Sequence, residues 1–140
     1  MHANDVQIVR VYTKRDDPNI EISDQTFASN ENIVVVVEAE AGGTLYGNGG
    51  PYYICITVRD LTDGSIILSP AGGNVNAMLE GNFTAAPWDD LALRYEFPPI
   101  AAQGAGKEHH VCDVIACLLA GVHNPNVSFA VSPKFVITPP

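Results

Sequence analysis

Apolar and polar residues alternate with a period of two along most of this chain, as expected of strands that press one face on a core and turn the other to solvent. In residues 33–40, Ile33, Val35, Val37 and Ala39 fall on one face while Glu38 and Glu40 fall on the other. Residues 52–60 repeat the arrangement, with Ile54, Ile56 and Val58 on the apolar side and Tyr53, Cys55, Thr57 and Arg59 opposite. The most regular stretch comes later, where Leu91, Leu93, Tyr95 and Phe97 alternate with Asp90, Ala92, Arg94 and Glu96 before Pro98-Pro99 ends the strand.

Further strands are predicted over residues 6–13 and 109–119, with a short extended piece at 20–22 after the break Asp16-Asp17-Pro18. Asp63-Gly64 signals a tight hairpin into 65–69. The last run, 127–137, is interrupted by Pro133, which cannot donate to a ladder and therefore marks an edge or a bulge. Residues 75–79 are too weakly patterned to place, and 41–51, with Gly42, Gly43, Gly47, Gly49 and Gly50, reads as a flexible connection. No stretch carries a convincing helical period. About seven or eight strands with turn signals roughly every ten residues predict one all-β, two-sheet sandwich domain over residues 1–140. Its core is expected to hold Ile33, Val35, Val37, Ile54, Ile56, Val58, Leu91, Leu93, Tyr95, Cys112, Val114, Phe129 and Val131.

The C-terminal part sharpens this expectation. His110, Cys112, Val114 and Ala116, a turn at 121–125, and then Val127, Phe129 and Val131 resemble the final hairpin of immunoglobulin and fibronectin type III-like domains. The chain has His110 where that family has a tyrosine, and it lacks the family's tryptophan on the third strand. The resemblance implies an antiparallel Greek-key sandwich of immunoglobulin-like strand order. It implies no particular function, because such sandwiches serve adhesion, enzyme accessory and scaffold roles alike.

Charge narrows the partners. Seven Lys and Arg against 16 Asp and Glu give a net charge of −9, a surface that repels nucleic acid and anionic membranes. No apolar run approaches the roughly 18 residues of a membrane helix, and residues 1–10 lack the pattern of a secretory leader. Three cysteines, Cys55, Cys112 and Cys117, leave at least one free thiol in a monomer, which suits a reducing cytoplasm.

Candidate chemistry is sparse. His109, His110 and Cys112, with Cys117 and His123 nearby, invite a metal or enzyme reading. On a strand, however, adjacent histidines point to opposite faces, and His110 with Cys112 makes only two ligands of the four a structural zinc requires. The plainer reading has His110 bonding to backbone at the sandwich edge and Cys112 as a small core residue. Cys112 and Cys117 face opposite ways and cannot bond, whereas Cys55 and Cys117 share the non-core face of two neighbouring strands. Asp16, Asp17, Asp89 and Asp90, with Asp60 and Asp63, sit at loop edges where calcium ligands are often found, without EF-hand spacing. Trp88, Tyr46 and Tyr52 either stack on a ligand such as a sugar ring or close the core. The glycine-rich segments match neither a phosphate loop nor a dinucleotide fingerprint, so no cofactor is expected.

The strongest functional signal is an excess of apolar residues. The 109–119 strand is apolar on both faces: besides its inward row it carries Val111, Ile115, Cys117 and Leu119 outward, with Asp113 the only acid among them. The neighbouring strand adds Tyr53 and Cys55 to that surface. Near-continuous hydrophobicity means that both faces are covered, and a homodimer packing this face on its twin is the simplest cover. The expectation is a non-catalytic binding or assembly module, with a small-ligand, carbohydrate or calcium site in the loops as the alternative.

Overall fold

Two sheets face one another across the apolar side chains that the alternation singles out. The structure, a computed structural model, describes residues 5–67, 77–88, 91–100, 106–121 and 126–140. The smaller sheet is antiparallel, in the order β1 (Val6–Arg15), β3 (Ile33–Ala41), β7 (Ala92–Glu96). At the centre of the larger sheet, β4 (Pro51–Asp60) pairs antiparallel with β8 (Val111–Ala120). Beyond β4 lie β5 (Ile66–Ile67) and β6 (Ala77–Asn82); beyond β8 lie β9 (Asn126–Val131) and β10 (Phe135–Thr138). The short β2 (Thr26–Ala28) closes the sheet, parallel to β10. No helix among the described residues is long and apolar enough to cross a membrane.

One core joins both sheets, with Val35, Val37 and Leu93 from the smaller and Ile54, Ile56, Val58, Cys112 and Val114 from the larger all buried in it. Glu38, Arg59 and Arg94, of the opposite parity, stay out of it. The smaller sheet is also covered on its outer side. Tyr12, Val34 and Val36 form a second buried cluster there. Buried Lys14 donates to the Ile20 carbonyl at 3.2 Å and pairs with Glu96 at 3.1 Å, while Arg94 reaches Tyr12 Oη at 3.2 Å and also binds Glu21. The β1–β2 connection thus lies over this face, which explains the unbroken apolar run at the start of β3.

Two irregularities decide which side chains reach the core. In β1 the register slips between Ile8 and Arg10, so Val6 and Ile8 point inward before it and Val11 after it. The second slip separates β9 from β10. Ile115 faces Val131 and Cys112 faces Phe135, so three steps back along β8 correspond to four steps forward along the terminal strands. Phe135 and Ile137 are consequently buried, whereas Phe129 and Val131 are turned to solvent at 67% and 51% exposure. This corrects their assignment to the core. Ser128, on the inner side of β9, instead accepts the Ile8 N–H at 3.0 Å, so that face meets the backbone of β1.

Other expectations change as well. Leu91 precedes β7 and is half exposed, and Tyr95 is only partly buried against the core. Residues 20–22 form no strand; the extended piece is β2. The glycine-rich segment contains a short helix, α1 (Gly43–Asn48), ended by Gly49 at φ 72°, and Leu45 and Tyr46 pack from it against the core. The weakly patterned stretch leads into β6, where Gly81 opposes Tyr52. A Cβ on Gly81 would stand 2.5 Å from Tyr52 Oη, so glycine lets the phenol ring lie across the strand.

The register of β9 makes a quantitative contrast. Truncating fully buried Leu118 to alanine should cost about 2–5 kcal/mol of stability, whereas Phe129→Ser should fall within about 0.5 kcal/mol of wild type. Urea unfolding of both variants measures this, and a core-sized loss for Phe129→Ser would contradict the outward placement.

Candidate functional site

The outer face of the larger sheet is built by the parity that fills the core. Because Ile54, Ile56 and Val58 point in, Tyr53, Cys55 and Thr57 point out, and β8 places Leu119, Cys117 and Ile115 directly beside them. The slip before β10 puts Val127, Phe129 and Val131 next in the same rows, and β6 adds Glu80 and Met78 on the other flank. Four adjacent strands therefore present a mostly apolar surface. Met78 is 54% exposed and Val127 49%, while Cys55, Ile115, Cys117 and Leu119 are half-buried by their neighbours. Val111 lies at the β10 end, opposite Val136 and partly covered.

Charges on this face are largely matched. Arg59 grips Asp113 with two 2.8 Å hydrogen bonds, Nε to Oδ1 and Nη2 to Oδ2. That bidentate geometry lets Asp113 sit almost fully buried in an apolar row. Arg59 is held above its ordinary pKa by the same carboxylate.

At the end of β4 the inward parity falls on an acid, Asp60, whose side chain is fully buried. Its Oδ1 accepts the Thr62 N–H at 3.0 Å and the Asp63 N–H at 3.3 Å, fixing the hairpin turn. Its Oδ2 lies 2.6 Å from His110 Nδ1 and 3.0 Å from Lys107 Nζ. Burial by itself would raise the Asp60 pKa, but the bonds from His110, Lys107 and the turn amides hold it below the usual carboxylate value. Lys107 also donates to Asp63 at 3.1 Å and to Ser65 Oγ at 2.9 Å. Asp63 is lowered as well, chiefly by its bonds from Ser65.

Asp60, Asp63 and His110 form a group of three potential metal ligands, with donor atoms within 4.8 Å of one another. The Lys107 ammonium already serves these carboxylates as their cation, so the cluster reads as a turn-locking hub. His109 is exposed, with φ 71°, and Cys112 is fully buried. Burial, followed by the charge of Asp60, pushes the Cys112 thiol up to about 12, which leaves almost no thiolate for nucleophilic attack near neutrality. His123 lies outside the described residues.

The aromatic candidates are occupied in packing. Trp88 and Tyr52 are fully buried and meet Phe83 at ring distances of 4.7 Å and 5.2 Å, with Tyr46 reaching the same ring from α1. A buried indole cannot stack on a sugar. Asp16 is exposed and accepts from Asn32 at 3.2 Å, and Asp17 caps the Asn19 N–H at 2.9 Å. They share a shallow cleft with Glu31 and Arg15 on a different loop from Asp60 and Asp63. Asp89 and Asp90 lie outside the described residues. Sequence reasoning missed Met78, Phe129, Val127 and Val131 on the apolar face and Lys107 and Ser65 in the hub. Pro133 was the available signal for the register change.

No protein-family model and no curated protein matches this chain. Among solved structures, the crystal structure of Bacteroides uniformis beta-glucuronidase is similar over 95% of this chain, with a TM-score of 0.50 and 9% identity. The chain spans 14% of the length of that protein. The likeness supports a β-sandwich-like fold.

The hub gives a pH-dependent expectation. Asp60→Asn, which leaves Lys107 and His110 without their shared charged acceptor, should destabilise the protein by about 3 kcal/mol at neutral pH. Since the folded carboxyl titrates below the unfolded value, the unfolded chain takes up the proton first. The advantage over Asp60→Asn is therefore full above about pH 4 and shrinks as pH falls through the lowered folded pKa. Urea midpoints at neutral and acidic pH check this; an unchanged gap would remove Asp60 from that role.

Proposed function

We propose that this chain is a non-catalytic assembly module on an immunoglobulin-like Greek-key sandwich, and that it pairs with a second copy of itself through the outer face of the larger sheet. The strand division supports the first part: β1, β3 and β7 stand against β4, β8 and the β9–β10 strand, as the ABE and CFG strands do in immunoglobulin-like domains. The observation that carries the second part is the four-strand apolar face centred on Cys55, Cys117 and Phe129, with Phe129 67% exposed.

A second copy fits this face better than elsewhere on the molecule. Each chain carries a net charge of −9, so two copies repel except where charge is matched or absent. Here Asp113 is neutralised by Arg59, and Glu80 stands at the opposite end of the face. A two-fold axis lying in the face and crossing the strands brings the Glu80 end of one copy over the Arg59 end of the other, a self-complementary arrangement. Four strands about 4.8 Å apart and three side-chain rows cover on the order of 400 Å². That is less than the roughly 800 Å² per partner of a standard interface, so pairing belongs to the weak, concentration-dependent class.

Light scattering across micromolar concentrations should show the mass rising toward twice that of the monomer. Ile115→Asp and Phe129→Asp should each return it to the monomer value, and Glu80→Arg should weaken pairing. A wild-type monomer throughout, or a dimer indifferent to both aspartates, would refute this use of the face.

A further inference from the structure

Three sulfur side chains stand side by side in one row of the same face. Met78 of β6 faces Cys55 of β4, and Cys55 faces Cys117 of β8. Met78 is exposed and both cysteines are half-buried, whereas Cys112 is buried on the inner side.

The ladders fix the spacing of the row. Gly121 N–H donates to Pro51 O and Leu61 N–H to Val111 O, continuing the β4–β8 register at both ends. Odd-numbered residues of β4 therefore form the hydrogen-bonded pairs, and Cys55–Cys117 is one of them, with Cα atoms about 5.5 Å apart. Phe83 N–H donates to Gly50 O, continuing the β4–β6 register. Met78–Cys55 is thus a non-hydrogen-bonded pair, with Cα atoms about 4.5 Å apart and side chains closer. By the same reasoning Ser132 N–H to Val114 O makes Cys117–Phe129 a close pair, which sets an aromatic ring beside the second thiol.

A direct disulfide requires Cβ atoms about 3.8 Å apart, while opposed Cβ atoms in a sheet lie about 4.5–5.5 Å apart, the hydrogen-bonded pairs at the wider end. An atom bridging the two sulfurs suits this gap better than a bond between them.

We propose that Met78, Cys55 and Cys117 form a binding site for one soft monovalent cation of the copper(I) class. Two thiolates and a thioether are the donor set that selects such an ion over hard cations. On binding, the two thiol protons pass to solvent, two S–Cu bonds form, and the Met78 sulfur donates a lone pair as third ligand. No electron is transferred, and the site changes from neutral to a net charge of −1. Phe129 shields the flank beyond Cys117.

The test is an anaerobic copper(I) titration of the full chain against the chromogenic chelator bicinchoninate. Wild type should withdraw one copper(I) per chain. Cys55→Ser and Cys117→Ser should abolish this, Cys112→Ala should leave it intact, and Met78→Leu should weaken it by about tenfold or more, at least the size seen for outer-shell partners of a metal. Circular dichroism confirms that each variant is folded. No withdrawal by wild type, binding that survives in either surface serine variant, or full-strength binding in Met78→Leu would overturn the site. The titration is run at concentrations where light scattering gives the monomer mass, so that a missing site and a face covered by a second copy are told apart.

Discussion

The nine consecutive pairs between β4 and β8 are the constraint from which the rest of the molecule follows. Side chains in a paired strand can face only two ways, so seating Ile54, Ile56, Val58, Val114, Ala116 and Leu118 in the core sends Tyr53, Cys55, Thr57, Ile115, Cys117 and Leu119 outward together. A slip of one residue would bury Arg59 and expose the core row. Burial of each large apolar side chain, at roughly 1.5–3 kcal/mol, fixes the register, and the outer surface is what that register leaves over.

The same parity explains the buried acid. Asp60 is an inward position at the end of β4, opposite Cys112, where a carboxylate without partners would be costly. The fold answers with His110, Lys107 and two turn amides, and so converts an awkward position into a clamp between the β4–β5 turn and the approach to β8. Lys107 carries out electrostatically what a metal would do in a similar cluster of ligands.

The outer face owes its extent to a local accident of the chain. Between β9 and β10 the run Ser132-Pro133-Lys134 leaves the ladder, and Ser132 Oγ takes the Val114 N–H at 2.9 Å in place of a regular continuation. The odd-numbered residues then exchange sides, outward in β9 and inward in β10. Three large apolar side chains join a face that already held Tyr53, Ile115 and Leu119, and the three sulfurs come to lie near its middle. Assembly and soft-metal binding would therefore draw on one surface, and occupation of either kind would be felt by the other.

The sequence by itself determined the all-β class, the faces of β3, β4, β7 and β8, and the outward apolar row at Ile115, Cys117 and Leu119, because a period of two is local and needs no knowledge of partners. It also located the break at Pro133, since proline has no N–H to offer a ladder. Tertiary structure alone decided which side of that break faced the core, because a one-residue slip inverts every later position and only pairing with β8 counts the residues. It also decided that Trp88 and Tyr52 pack inside and that Lys107 meets Asp60 and Asp63. Those contacts join positions far apart in the chain, and burial and charge pairing between distant segments leave no period to read.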